Sequence, residues 1–326
     1  MRAIVIKQYG GPEQLQIENV SKPEPRAGHI LVRVAAFGLN RAETYMRRGL
    51  WGDVAKISGI ECVGTVVADQ SARLPVGAKV ACVMGGMGRT IDGSYAEYVC
   101  TPSTNVVPLT TELPWAELAA IPESYATAWS CLEENLQLRE GQTVLIRGAG
   151  SALGQAAVNI AAERGAAVIA SVRTLERASS LRALGARDVL QEQPGLAQKL
   201  RNQVPGGVDA VMDIVGNSTL LDSLQCARRG GRVCVAGFLG GLQPLASFDP
   251  LTQMPSDVHL SFFASYMLGS DDFPLARIPL QSIVDKAAAG RYRAKPAKVY
   301  RFDQIQTAHR VMEEGNAGGK LVVTVE

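Results

Sequence analysis

A glycine-rich segment between a strand-like run and a helix-like run constrains the fold of this chain most strongly. Residues 143–148, TVLIRG, are typical of a strand that is buried on both faces. Gly148, Gly150 and Gly154 follow, and GQAAVNIAAERG then has helical spacing and ends at a glycine. Small residues at such a turn let the backbone approach a pyrophosphate, and the N–H groups at the helix N-terminus attract its charge. The segment therefore predicts a dinucleotide site.

The sequence on either side of this segment has two rhythms, which indicate two domains. The first hundred residues contain short β-branched runs between Gly, Pro and Asp turns, and these predict a partly closed β-structure with a few short helices. From about residue 124 strands and helices alternate, which predicts a doubly wound parallel sheet. Residues 294–326 return to a strand, helix and strand. We expect a β-rich domain over residues 1–122 and 273–326, and a Rossmann dinucleotide-binding domain over 123–272, in an α/β fold.

The residues after the second strand of the predicted sheet indicate which nucleotide is bound. An NAD site normally has an acidic residue at the end of this strand, where it binds the ribose 2′-hydroxyl. Here Val172 and Arg173 stand at that point, and Arg177 follows about one helical turn later. A guanidinium group donates several hydrogen bonds to a phosphate, so Arg173 predicts NADPH in preference to NADH. Arg177 is equally compatible with a solvated arginine at the start of a helix.

Composition excludes several other classes of protein. The formal charge is only +2 with basic residues scattered along the chain, which argues against nucleic-acid binding. The N-terminus has no apolar signal-like region, and no run of 18 apolar residues predicts a membrane span. The six cysteines form no CxxC pair, which argues against a zinc lobe or a disulfide framework. We therefore expect a cytoplasmic protein without a metal site.

Several further motifs occur in an order that resembles the zinc-free quinone oxidoreductase (zeta-crystallin-like) branch of the medium-chain dehydrogenase/reductase superfamily. They are GLNRAETYMRRG, GIECVGTVV, GSYAEYV, IPESYATAWSCL, VDAVMDIVG and GGRVCVAG. The resemblance covers essentially the whole chain. It implies that the β-rich domain is a partly closed GroES-like catalytic domain and that substrate binds in a cleft between the domains. Asn40, Ile60 and Glu123 stand where zinc-dependent relatives have their metal ligands, and isoleucine cannot bind a metal.

The resemblance also implies functional residues. Asn40 would hydrogen-bond a carbonyl, Tyr45 would donate a hydrogen bond or a proton, and Thr127 would hold the nicotinamide amide or its ribose. The implied cofactor-binding residues are Gly148, Gly150, Ser151, Ala152, Leu153, Gly154, Arg173, Arg177, Val215, Gly237, Phe238 and Lys320. Two positions depart from the branch. Ser151 and Ala152 replace two glycines, so either the loop lies farther from the phosphates or the Ser151 hydroxyl donates to them. Glu192 replaces a tyrosine, and its charge would oppose a 2′-phosphate if it pointed inward.

Several alternatives remain open at this point. The expected reaction is hydride transfer from NADPH to a quinone. Reduction of an enone or enoyl-thioester double bond, with Tyr45 as proton donor, is the second hypothesis, and a catalytically vestigial nucleotide-binding protein is the third. Tyr45 is equally compatible with simple ring packing, and Arg47 or Arg48 with an oxyanion contact or a solvated helix face. A homodimer or homotetramer is expected only from the resemblance.

Overall fold

A computed structural model describes residues 1–325 of the chain. The strands are β1 (Arg2–Ile6), β2 (Leu15–Asn19), β3 (His29–Gly38), β4 (Glu61–Asp69), β5 (Lys79–Val83), β6 (Tyr98–Pro102), β7 (Val106–Pro108), β8 (Thr143–Arg147), β9 (Ala167–Val172), β10 (Asp188–Gln191), β11 (Val208–Asp213), β12 (Ala227–Val235), β13 (His259–Phe262), β14 (Lys298–Arg301) and β15 (Leu321–Thr324). The helices are α1 (Arg41–Arg47), α2 (Trp115–Leu118), α3 (Pro122–Ser130), α4 (Ala152–Glu163), α5 (Ala178–Ala183), α6 (Leu196–Gln203), α7 (Leu220–Cys226), α8 (Pro250–Gln253), α9 (Leu280–Ala288) and α10 (Ile305–Glu313).

These elements form two compact units. Unit 1 contains Met1–Ala126 and Ser265–Glu326, and unit 2 contains Thr127–Ala264. The domain boundaries expected from the sequence, after residues 122 and 272, stay a prediction. Within residues 1–325, no helix is both long enough and apolar enough to span a bilayer.

Unit 1 is built on a curved, mainly antiparallel sheet with the strand order β14-β15-β3-β4-β5-β7, in which β6 also pairs with β3. The pairing of β3 with β4 shifts register between Leu31 and Val32 and again between Val34 and Ala36. Such irregularities bend a strand, which lets β3 pair with β6 at one end and β15 at the other. Buried apolar side chains from β1, β3, β5, α10 and β15 fill the core of this unit.

Unit 2 is a parallel sheet with the strand order β10-β9-β8-β11-β12-β13. The strand order reverses between β8 and β11, and open α/β sheets bind ligands at the carboxyl ends of the strands at such a point. The core consists of aliphatic residues such as Leu145, Ile169 and Val211, all fully buried, as a doubly covered sheet requires. The prediction that the chain combines a doubly wound parallel sheet with a β-rich structure is confirmed.

One segment of unit 2 differs from the sequence-based expectation. The alternation of strands and helices predicts a helix over residues 218–231, STLLDSLQCARRGG, but α7 ends at Cys226 and β12 begins at Ala227. The pairing of β12 with β11 shifts register at its start, because Val208 pairs with Ala227 whereas Ala210, two residues later, pairs with Arg232. Long-range pairing with β11 therefore replaces the last turn of the expected helix.

Candidate functional site

The glycine loop of unit 2 joins β8 to α4, and each glycine has its own geometric reason. Gly148 adopts φ +77°, a conformation that favours glycine. A Cβ on Gly154 would lie 2.6 Å from the Gly148 carbonyl oxygen and from Ala149 Cα, so glycine here permits close packing of the helix on the loop. The atoms nearest to a Cβ on Gly150 would be Arg177 Nη1 at 3.5 Å and Arg177 Cδ and Val172 Cγ1 at 3.7 Å, all at ordinary contact distance. A ligand group in the space beside Gly150 would therefore contact the Arg177 side chain.

The start of α4 presents backbone donors to this space. Within residues 1–325, the backbone N–H groups of Gly150, Ala152 and Leu153 make no hydrogen bond with protein. Unpaired N–H groups at a helix N-terminus, together with the positive end of the helix dipole, form a site for an anion. The loop thus fits a nucleotide phosphate by its own geometry.

Ser151 has a structural role in this loop. Its hydroxyl donates to the Gly148 carbonyl at 2.9 Å and accepts from the Gly154 N–H at 3.0 Å. Ser151 is therefore the N-cap of α4, and its single hydroxyl proton is directed into the loop. Of the two sequence-based alternatives for this residue, donation of the hydroxyl to a phosphate does not fit this arrangement.

The arginines after β9 lie on the same side of the sheet as the loop. Arg177 is half-buried next to Gly150, whereas Arg173 is exposed and its carbonyl accepts from Gln191 Nε2 at 3.2 Å. Glu192, which was expected to oppose a phosphate if it pointed inward, instead forms an ion pair with Arg147 and accepts from Ser171 Oγ at 2.6 Å. Its negative charge is therefore compensated within the protein.

The other expected nucleotide contacts in unit 2 lie in the loops after β11 and β12. The Val215 N–H donates to Asp213 Oδ1 at 2.9 Å, and a Cβ on Gly237 would lie 2.9 Å from the Ile214 carbonyl oxygen. The Phe238 ring packs on Phe262 with 5.9 Å between centroids. Both loops are therefore fixed by local contacts at the carboxyl edge of the sheet, where a ligand is expected.

A buried polar cluster in unit 1 contains Asn40 and Lys320. Asn40 Nδ2 donates to Glu61 Oε1 at 2.9 Å, and Asn40 Oδ1 accepts from Lys320 Nζ at 2.7 Å. Lys320 also forms an ion pair with Glu61, and the Glu123 N–H donates to Glu61 Oε2 at 2.8 Å. A carboxylate only accepts and an ammonium group only donates, so these two neighbours determine which way the Asn40 amide points. The cluster therefore fixes the orientation of the Asn40 side-chain amide.

A second layer of titratable groups lies against this cluster. Glu43 accepts hydrogen bonds from the Asn40 N–H at 2.7 Å, from Tyr95 Oη at 2.7 Å and from the Ile60 N–H at 3.1 Å. Burial raises the pKa of Glu43 to about 7, although these hydrogen bonds and Lys320 act in the opposite direction. Tyr95 Oη also lies 3.0 Å from His309 Nε2. Burial lowers the pKa of His309 to about 3, so the imidazole is neutral.

The remaining expected site residues have different surroundings. Tyr45 is buried on α1, with its ring 5.6 Å from Trp51, and Thr127 is buried on α3. Arg47 was expected to be solvated or to contact an oxyanion. It is instead fully buried and paired with Glu313, whereas Arg48 is exposed. The catalytic roles of Tyr45 and Thr127 stay predictions.

The positions that correspond to zinc ligands lie around the same two carboxylates. Asn40 and the Glu123 N–H donate to Glu61, and the Ile60 N–H donates to Glu43. Within the described part of the chain, no group of three or more His, Cys, Asp or Glu side chains is arranged to hold a metal ion. These positions are therefore linked by hydrogen bonds to Glu61 and Glu43, and the Lys320 ammonium group contacts Asn40 and Glu61.

Sequence reasoning missed two features of these sites. The role of Glu43 could have been found from the pattern NRAE, because Asn followed three residues later by Glu is a signature of a helix N-terminus. The pairing of Arg147 with Glu192 joins residues 45 positions apart. No local pattern signals such a pair.

Comparison with known proteins identifies two matching family models. Residues 26–111 match the alcohol dehydrogenase GroES-like domain, and residues 152–278 match the zinc-binding dehydrogenase model. The first match lies in unit 1, and most of the second lies in unit 2 and contains α4.

The chain is also similar over its full length to curated proteins. It is 27% identical to the quinone oxidoreductase of Lama guanicoe over 337 residues, covering 100% of this chain and 98% of the relative. It is 29% identical to the quinone oxidoreductase of Mus musculus over 334 residues, covering 99% and 97%. Among solved structures, Escherichia coli quinone oxidoreductase complexed with NADPH superposes with a TM-score of 0.87 at 21% identity, covering 100% of both chains. This last likeness shows the fold alone.

Proposed function

We propose that this chain, which belongs to the zinc-free quinone oxidoreductase branch of the medium-chain dehydrogenase/reductase superfamily, transfers a hydride from NADPH to a quinone. Membership in the branch makes the chain an oxidoreductase that uses a nicotinamide nucleotide. The preference for NADPH and the quinone as acceptor are the proposed parts. The curated relatives at 27–29% identity bear the name quinone oxidoreductase, which supports the choice of acceptor.

The observation that carries the proposal is the set of unpaired backbone N–H groups at the start of α4. The N–H groups of Gly150, Ala152 and Leu153 would hold the pyrophosphate, and the Arg177 side chain lies next to Gly150. Arg173 and Arg177 would bind the 2′-phosphate, because a guanidinium group forms charge-assisted hydrogen bonds with a phosphate. β9 itself ends in Val172 followed by Arg173, so it supplies no acidic side chain for a 2′-hydroxyl. The residues present therefore fit NADPH, which supplies a hydride from the nicotinamide ring when bound.

Unit 1 would supply the polar contact to the acceptor. One Nδ2 hydrogen of Asn40 is directed at Glu61, and the second has no protein acceptor among residues 1–325. This second hydrogen would donate to a quinone carbonyl oxygen and stabilise the negative charge that develops there. Lys320 and Glu61 act as positioning residues for the Asn40 amide, since each binds only one end of it. The Lys320 ammonium also adds a fixed positive charge near that end.

We expect Tyr45 and Thr127 to have smaller roles in quinone reduction. Hydride transfer to a quinone leaves a hydroquinone anion, which takes up one proton readily from water or a nearby acid, so loss of the Tyr45 hydroxyl would have a modest effect. Thr127 would hold the nicotinamide amide or its ribose. No metal step is part of the proposed reaction, because a quinone is already electron-poor.

The decisive experiment is steady-state oxidation of NADPH and NADH with a panel of quinones and enones. We expect turnover of a simple quinone with NADPH, unchanged by a chelator and with a higher kcat/KM than with NADH. Arg173→Ala and Arg177→Ala should weaken NADPH more than NADH, whereas Arg48→Ala, an exposed arginine in unit 1, is the matched control. Turnover of enones but not of quinones would instead favour the double-bond reductase. Absence of turnover with every acceptor would refute the proposal.

A further inference from the structure

A buried arginine immediately precedes the glycine loop of the proposed nucleotide site. Arg147 is the last residue of β8, immediately before Gly148, and its side chain is 1% exposed. Its guanidinium group pairs with Glu192 through Nη2 and Nε. Its Nη1 donates to Asp222 Oδ2 at 2.7 Å and to Ser223 Oγ at 3.0 Å. The proposed chemistry uses none of these groups, and such a cation is retained only at the cost of desolvation.

Glu192 stands where its charge matters to a nucleotide. It directly follows β10, and its N–H donates to the Val172 carbonyl at 2.7 Å, at the end of β9. Its carboxylate also accepts from Ser171 Oγ at 2.6 Å. The carboxyl ends of neighbouring parallel strands lie at one edge of the sheet, so Glu192 is next to Val172 and Arg173. This is the point at which the 2′-phosphate of NADPH is expected.

An uncompensated carboxylate at this point would act against the phosphate in two ways. It would repel the phosphate directly, and it would compete for the guanidinium groups of Arg173 and Arg177. In the structure, Arg147 binds both carboxylate oxygens of Glu192 from inside the sheet. The bidentate pair places the guanidinium charge directly against Glu192, although Asp222 shares it, and it holds both carboxylate oxygens within the protein.

We propose that Arg147 is a specificity-determining positioning residue, which permits a 2′-phosphate at the end of β9 by holding and neutralising Glu192. The inference rests on the proposed use of NADPH and deepens it. A residue that does not itself contact the cofactor would then determine whether the 2′-phosphate can bind. Cofactor preference would then depend on the pairing of Glu192 as well as on the arginines after β9.

The test is a comparison of NADPH and NADH dissociation constants, measured by nucleotide fluorescence on four variants of the full chain. In Arg147→Met we expect the affinity for NADPH to fall at least about tenfold more than the affinity for NADH, since only NADPH carries the extra charge. Glu192→Gln in the Arg147→Met background should restore the wild-type ratio. Asp222→Asn is the control, because it removes the other carboxylate that pairs with the Arg147 guanidinium group, on the α7 side. It should leave the ratio of the two dissociation constants within about twofold of the wild-type ratio.

Glu192→Gln alone keeps the test decisive if Arg147→Met does not fold. Arg147 then retains its charge without this carboxylate, so the ratio should shift further toward NADPH, and by more than in Asp222→Asn. A wild-type ratio in Arg147→Met, or in Glu192→Gln when Arg147→Met is insoluble, would overturn the inference and leave Arg147 a purely structural residue. A wild-type protein that does not discriminate between the nucleotides would refute the proposed NADPH preference. The change of ratio among the variants would still decide the role of Arg147.

Discussion

Replacement of Gly154 by alanine tests whether the glycine loop depends on close backbone packing. A Cβ at this position would lie 2.6 Å from Ala149 Cα and from the Gly148 carbonyl oxygen, and 2.8 Å from the Ala149 carbonyl carbon. All three are backbone atoms, so no side-chain rotation relieves the contact. Overpacking of this kind costs about 1–3 kcal/mol, and rigid neighbours favour the upper half of that range.

Helix propensity acts in the opposite direction and decides how large the net effect is. Alanine is more favourable than glycine inside a helix by about 1 kcal/mol. The clash exceeds this gain, so Gly154→Ala should lower the free energy of unfolding by about 1–2 kcal/mol, where propensity alone predicts stabilisation. In calorimetry this corresponds to a decrease in Tm of about 3–8 °C for a domain of this size. An unchanged or raised Tm would show that the loop relaxes easily and would refute the packing argument.

Gly150→Ala is the matched control, because it adds the same methyl group four residues earlier. The nearest atoms, Arg177 Nη1 at 3.5 Å and Val172 Cγ1 at 3.7 Å, are at ordinary contact distance. We expect a Tm within about 1 °C of the wild type, since nothing must move. The methyl group would lie beside the unpaired N–H groups at the start of α4 and would keep a pyrophosphate away from them, so NADPH affinity should fall about tenfold. Equal losses of stability in both variants would contradict the assignment of separate roles.

Three further predictions concern unit 1. The pKa of Glu43 is raised to about 7 by burial, so the stability that its protonated form provides is complete below pH 4.5 and is lost as pH rises through about 7. Urea denaturation gives the unfolding free energies of the wild type and of Glu43→Gln at each pH. The wild-type value minus the Glu43→Gln value should fall by about 3 kcal/mol between pH 4.5 and a pH above 7. A difference that stays constant with pH would contradict the shifted pKa. Lys320→Met leaves Glu61 buried without its cation and should destabilise the chain by about 3–5 kcal/mol, with partial recovery in the double variant that adds Glu61→Gln. Tyr45→Phe should reduce enone turnover more than quinone turnover if the hydroxyl donates a proton, and equal effects would favour simple ring packing.

The glycine loop could be predicted from the sequence because its determinants are local. Gly148, Gly150 and Gly154 lie between an apolar strand and a helix of regular spacing, and these are short-range signals. Ser151 was ambiguous, because both a capping serine and a ligand-binding serine occur at a helix N-terminus. Its contacts with Gly148 and Gly154 decide the question, and only coordinates supply them.

The charge pairs of both units could not be predicted, because their members are distant in sequence. Arg147 ends an otherwise apolar strand, and nothing near it in sequence indicates Glu192 as its partner. Arg47 is the last residue of α1 and Arg48 follows it directly, yet Arg47 is buried against Glu313 and Arg48 is exposed. Which of two adjacent arginines faces the core depends on the elements that pack against the helix, and sequence alone does not identify them.

The division of unit 1 into two chain segments has a consequence for folding. Asn40 meets Lys320 across 280 positions, and Phe302, Ile305 and Val323 complete a core that begins with β1. Unit 2 is continuous and gains its parallel strands one after another. During synthesis unit 2 can fold first, while residues 1–126 of unit 1 still lack the part of their hydrophobic core that the C-terminal segment supplies. The last step of folding is then the packing of the C-terminal segment of unit 1 against residues 1–126, which closes a long loop and is therefore slow. Conditions that slow this step further should leave apolar surface of unit 1 exposed and favour aggregation.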